Sequence, residues 1–184
     1  MKSYLLALLA FCNALLLSAQ TDIQDLRDNY AVGQIVTITG IVTNGEEMGS
    51  SARYMQDGTA GIAIYSLDWE GFTIPSRGDE VTVTGEITEY FGLLEVGPNL
   101  SAVTINSTGN ALPDFEYIDL SDFNEGLEGE LVNFDGAQFQ DGGSTFAGGN
   151  TYTFIHEGEQ GIIYLRTGSV LEGEIIPAGQ ITLR

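Results

Sequence analysis

Arg53-Tyr54-Met55-Gln56-Asp57-Gly58-Thr59-Ala60-Gly61-Ile62-Ala63-Ile64-Tyr65 has a counterpart 100 residues on, Thr153-Phe154-Ile155-His156-Glu157-Gly158-Glu159-Gln160-Gly161-Ile162-Ile163-Tyr164-Leu165. Gly58 and Gly61 align with Gly158 and Gly161, and the flanking positions stay apolar. Self-similarity at a fixed offset marks two copies of one structural unit. The match extends upstream, where Asp25-Leu26-Arg27-Asp28 answers to Asp119-Leu120-Ser121-Asp122 and Gly33-Gln34-Ile35-Val36 to Gly129-Glu130-Leu131-Val132. Downstream, Ile74-Pro75 and the run from Gly78 to Gly85 answer to Ile176-Pro177 and the run from Gly179 to Arg184. The first copy continues to about Ile105, whereas the second has no counterpart for those closing strands. The reading is therefore a complete unit followed by a truncated one.

Each unit reads as short strands between glycine-rich turns, after one short helix. Thr21 and Asp22 are placed to cap a helix carrying Ile23, Leu26 and Tyr30, and Asp119–Asn124 is its expected counterpart. From Gln34 to Thr43, Ile35, Thr37, Thr39 and Ile41 alternate with Val36, Ile38 and Val42. That is the period of a strand with one face in a core. Five short strands, with Gly40 and Gly85 at mid-strand as bulges or corners, predict an OB-type Greek-key barrel. The expected class is all-β: tandem OB-like barrels, the second incomplete, each preceded by a short helix. A two-sheet immunoglobulin-type sandwich is the alternative, and it lacks the Cys/Trp/Cys pattern. Asn106–Asp114, rich in turn formers, is the expected linker, so the units fall at 20–110 and 111–184.

Lys2, the apolar run from Leu5 to Leu17 and Ser18-Ala19 have the three-part form of a secretory signal peptide spanning residues 1–19. The run is too short to cross a bilayer comfortably, so no membrane insertion is expected after cleavage. Export to the cell surface, the medium or the periplasm follows. Cys12 is the sole cysteine and goes with the leader, leaving no disulfide, thiol nucleophile or thiolate metal site. Losing Lys2 leaves five arginines against 26 acids, a net charge of about −21. Such a surface favours solubility and opposes non-specific binding to polyphosphate.

Gly33-x-x-Val36-x-x-x-Gly40-x-Val42, Tyr54-Met55-Gln56-Asp57-Gly58-Thr59-Ala60-Gly61-Ile62 and Gly78-Asp79-x-Val81-x-Val83-x-Gly85 resemble OB-fold nucleic-acid-binding domains. The closest likeness is to OB-like modules of secreted bacterial proteins, including those beside extracellular nucleases. The resemblance implies an accessory binding module of a larger extracellular protein, with further domains beyond Arg184. A module positioning nucleic acid for an attached nuclease is the alternative. The ligand is left open among nucleic acid, glycan and protein.

In OB barrels the ligand face lies on strands 2 and 3 with flanking loops. If Met55, Ile62 and Ile64 face inward, alternation turns Tyr54, Ala63 and Tyr65 outward. The candidate ligand-binding residues are Arg53, Tyr54, Tyr65, Trp69, Phe72 and Tyr90, a set of rings and one cation able to stack flat groups. The competing role for these rings is barrel core. No catalytic residue is named: His156, the sole histidine, reads as a strand residue, and there is no Gly-x-Ser-x-Gly elbow. The carboxylates lack EF-hand spacing, so neither a metal nor a cofactor is expected.

Overall fold

The computed structural model describes residues 20–184; the signal peptide read at residues 1–19 lies outside the described residues. The chain runs α1 (Ile23–Asn29), β1 (Ile35–Val42), β2 (Ala52–Gln56), β3 (Gly61–Tyr65), β4 (Glu80–Tyr90) and β5 (Leu93–Ser107). Then come β6 (Glu116–Tyr117), β7 (Val132–Phe139), β8 (Asn150–His156), β9 (Glu159–Leu165) and β10 (Ile181–Leu183).

The first five strands close into a barrel in the order β1-β2-β3-β5-β4, with β4 returning to β1. β3 and β5 pair in parallel and the other neighbours antiparallel, the connectivity of an OB-fold. The alternation in β1 and β4 explains the closure. Val36, Ile38, Val42, Val81, Val83 and Ile87 are buried inside, and the intervening residues face outward. On the outside, Thr37 and Thr84 hydrogen-bond at 2.9 Å and Thr39 and Thr82 at 2.7 Å, zipping β1 to β4. Gly85 falls at a shift in the β4–β5 register, where a Cβ would lie 2.8 Å from Val96, in keeping with its reading as a corner. Each fully enclosed Ile or Val contributes about 1.5–3 kcal/mol.

α1 seals the barrel with Ile23 and Leu26. Asp57 at the β2–β3 turn fastens it, accepting from the Ile23 amide at 2.8 Å and from the Thr59 hydroxyl at 2.6 Å. Burial pushes the Asp57 carboxyl upward. The Thr59 hydroxyl and the amides of Ile23, Thr59 and Ala60 outweigh that and hold it below the ordinary aspartate range.

The second sheet runs β10-β7-β8-β9, the order β4-β1-β2-β3 of the barrel, with no strand in the β5 place among the described residues. It has its own core of Phe134, Ala137, Phe139, Phe146, Tyr152, Phe154, Leu165 and Ile176. The expected lead-in helix at Asp119–Asn124 forms instead as two one-turn 3-10 helices, Leu120–Asp122 and Glu125–Leu127, neither with a buried residue. Asn124 caps the second through the Gly126 amide at 2.9 Å, and that cap interrupts a continuous helix.

The alignment of the two hairpins shifts by one residue in space. Met55 pairs with Ile62 inside the barrel, whereas Phe154 pairs with Gly161 in the second sheet, an offset of 99 rather than 100. A Cβ on Gly161 would lie 2.2 Å from the Phe154 ring, so the ring occupies the space above that glycine. Because strand side chains alternate, a one-residue shift exchanges inside for outside. Ile62 is fully buried and Ile162 is 71% exposed. The second hairpin turns at Glu157-Gly158, whose φ values of 50° and 90° are both positive, as a two-residue type I′ turn requires.

Candidate functional site

The two sheets meet through backbone. A Cβ on Gly61 would lie 2.3 Å from the Gly129 carbonyl carbon, and one on Gly129 would lie 2.8 Å from Gly61. Only paired glycines allow this approach. Arg27 of α1 locks it, donating to the Gly61 carbonyl at 3.2 Å, the Glu128 carboxylate at 3.1 Å and the Glu125 carbonyl at 2.9 Å. Gln56 accepts from the Leu131 amide at 3.0 Å, and Glu128 from the Leu94 amide at 3.3 Å.

This joint brings β9 alongside the open face of β2, β3 and β5. Between them lies a groove of about 570 Å³, lined by Met48, Tyr54, Ala63, Tyr65, Tyr90 and Glu95 from the barrel and by Tyr164 and Arg166 from the second sheet. Tyr65 pairs with Ala52 and Tyr164 with Thr151, so the two tyrosines hold equivalent positions in the two hairpins. Met48 comes from the β1–β2 loop and Tyr90 from the β4–β5 turn, the two loops that frame the ligand face of an OB-fold. Phe91, 95% exposed, stands edge-to-face on Tyr90 at 4.7 Å and extends the aromatic rim.

Three of the six sequence candidates, Tyr54, Tyr65 and Tyr90, therefore share one groove. The other three serve the barrel. Trp69 is 1% exposed within the core, and its indole N–H donates to the Ser50 carbonyl at 2.8 Å. It offers no face to a sugar or a base. Phe72 packs against the same core. Arg53, placed near the rim by the sequence reading, is 4% exposed. Its guanidinium donates to the carbonyls of Pro75 (2.8 Å), Gly49 (2.9 Å) and Ala52 (2.8 Å), and burial lowers its pKa. It staples the β1–β2 loop to the β3–β4 connection.

Met48, Glu95, Tyr164 and Arg166 complete the groove and were absent from the candidate set. The signal for Tyr164 was available in the alternation of β9, read at an offset of 99. Glu95 is buried beside Ala63, and burial raises its carboxyl pKa, partly offset by the Thr88 hydroxyl at 3.3 Å. Burial is likewise the main cause of the raised Tyr54 pKa; the nearby Glu128 and Glu95 add to it and Arg166 opposes it.

His156 is a strand residue, as expected, buried edge-on to Phe134 at 5.5 Å. Its Nε2 lies 3.7 Å from Asp119, and with Glu157 these side chains bring three ligand-type atoms within 4.8 Å of one another. At the equivalent position of the first hairpin stands Asp57, which ties that hairpin to α1, so the His156–Asp119 pair holds the matching place between hairpin and lead-in. No helix among the described residues is long and apolar enough to cross a membrane.

Topology and groove define an OB-fold barrel with an aromatic groove on its β2–β3–β5 face. No family model matches the chain. Over 145 residues, 73% of its length, it is 34% identical to Endonuclease YhcR of Bacillus subtilis (strain 168), and it spans 12% of that protein. Among solved structures, the hypothetical protein ygiW from E. coli is similar over 47% of this chain and 89% of that one, at 16% identity and a TM-score of 0.39.

Proposed function

We propose that the chain is a non-catalytic binding module of a larger exported protein and takes its ligand in the tyrosine groove. The observation that carries this reading is the convergence of Tyr54, Tyr65, Tyr90 and Tyr164 with Arg166 on the β2–β3–β5 face. Rings held on a rigid sheet stack flat groups at low entropic cost, and Arg166 adds one cation to the stack. The groove lining holds no histidine, serine or cysteine among the described residues, and Glu95 is its one carboxylate. In this reading the second sheet is a copy of the barrel unit, recruited to supply the fourth ring.

The likeness to an endonuclease favours one ligand class, single-stranded nucleic acid held for a catalytic domain elsewhere in the protein. A net charge of −20 limits phosphate contacts, so stacking dominates. The test is fluorescence anisotropy of a short labelled oligodeoxynucleotide at low salt. The expected salt slope is small, about −0.7 for the single phosphate Arg166 can neutralise. Tyr54→Ala and Tyr164→Ala are each expected to weaken binding about tenfold, at the lower end of what a lost base stack costs. Absence of oligonucleotide binding together with tyrosine-dependent glycan or peptide binding would retain the groove and reject nucleic acid. Binding indifferent to both tyrosines would reject the groove.

A further inference from the structure

The turn between β8 and β9 meets the lead-in to the second sheet at a cluster the tyrosine groove does not use. His156 ends β8, Glu157 follows it in the turn, and Asp119 stands at the N-cap of the Leu120–Asp122 3-10 helix. One ligand-type atom from each lies within 4.8 Å of the other two. In the barrel the matching place is tied by hydrogen bonds, with Asp57 accepting from the Ile23 amide and the Thr59 hydroxyl. In the second sheet Asp119 makes no side-chain cap, and its carboxylate stops 3.7 Å from His156 Nε2, beyond hydrogen-bond length.

The imidazole is the informative member. Its side chain is 7% exposed and packs edge-on to Phe134, and its Nδ1 is buried without a hydrogen-bond partner among the described residues. Leaving a buried polar group unpaired is costly, and an ion is one of the few things that account for one. Two exposed carboxylates stand at the ring, Asp119 on its Nε2 side. Two metal bonds of about 2.1 Å bridge the 3.7 Å gap at an open angle. The imidazole decides the class of ion. Ca²⁺ and Mg²⁺ take oxygen ligands, whereas one imidazole with two carboxylates suits Zn²⁺ and its first-row neighbours. Asp119 lies in the lead-in and the other two in the hairpin, so no local spacing in the sequence reveals the set.

We propose that His156, Asp119 and Glu157 bind a divalent ion of the zinc class, which fastens the lead-in of the second sheet to its β8–β9 hairpin as Asp57 fastens α1 to the barrel.

The test is calorimetric titration of the EDTA-treated, dialysed chain with ZnCl₂, in excess CaCl₂ to occupy the acidic surface. One saturable zinc site is expected. Asp119→Asn and Glu157→Gly should each weaken it at least tenfold. Glu157→Gly also controls for folding, because glycine suits the φ of 50° at that turn position, so its metal-free melting should fall no lower than that of the parent. Amide hydrogen exchange over residues 150–165 gives the second readout. With Zn²⁺ at ten times the measured Kd it should slow about tenfold, with the barrel amides unchanged. No zinc binding above the calcium background overturns the proposal. Weak zinc binding indifferent to both substitutions overturns it too, because it assigns the ion to the acidic surface at large. Zinc uptake that leaves hairpin exchange unchanged does the same, because the ion is then held elsewhere.

Discussion

The closed barrel and the open sheet share a strand order, yet they treat the same residue in opposite ways. Ile62 and Ile162 stand in matching stretches of sequence; one is fully enclosed and the other is 71% exposed. The barrel fills its centre with Met55, Ile62 and Ile64. The open sheet fills its own with the larger rings of Phe134, Phe139 and Phe154, tilted against one another at centroid distances of 5.4 to 6.3 Å. A ring over Gly161 needs the neighbouring residue turned outward, and the whole strand follows. Matching stretches of sequence therefore share a strand order without sharing a core. The displaced phase is what puts Tyr164 into the tyrosine groove.

The largest expected effect breaks this contrast directly. Ile62→Asp buries an unpaired carboxylate and is expected to cost more than about 4 kcal/mol, enough to unfold the barrel in a urea titration. Ile162→Asp should change stability by no more than about 0.5 kcal/mol. Equal effects would mean that the two hairpins share one phase.

The joint comes next. Gly61→Val places side-chain carbon inside the Gly129 backbone and is expected to cost about 3 kcal/mol. Small-angle scattering should show the two sheets separating while each keeps its strand signal. Arg53→Ala strips the guanidinium partner from three carbonyls and should cost about 2 kcal/mol in the barrel. Exchange at the β8–β9 hairpin should stay unchanged.

Acid separates the two lead-ins. The folded Asp57 pKa lies below its unfolded value. Its contribution is therefore complete above the ordinary aspartate range and disappears as pH falls through the lowered folded value. Asp57→Asn should flatten that acid limb of the barrel's melting curve and leave the second sheet's unaffected. Glu95 has the opposite sign. Its raised pKa makes the ionised form costly at neutral pH; the cost shrinks as pH falls below the raised value and is gone below the ordinary glutamate range. Glu95→Gln should stabilise the barrel at neutral pH in a urea titration, with the difference closing in acid.

The barrel was legible because its strands alternate cleanly. Val36, Ile38, Val42, Val81 and Val83 declare one inner face, and the helix with Ile23 and Leu26 declares its own. The groove was half legible: period-2 alternation placed Tyr54 and Tyr65 outward. Trp69 and Arg53 misled because residue type does not reveal burial. Each meets backbone carbonyls from distant loops, contacts that no local pattern encodes. Tyr164 and Arg166 were hidden by the glycine alignment, which follows the turns while the strands slip by one.

The buried arginines have a consequence for proteolysis. The described residues contain no lysine, so a protease that cleaves after basic side chains depends on arginine alone. Arg53 is enclosed, Arg27 is clamped in the joint with 10% of its side chain exposed, and Arg166 is half-buried in the groove. Arg77 is then the one exposed cleavage point before the last residue among those described, and the backbone there is pinned by the Gly78 amide donating to the Val42 carbonyl at 2.8 Å. Trypsin-like digestion of the folded module should therefore be confined to Arg77 and the chain's last residue, with the other arginines cut only once it opens.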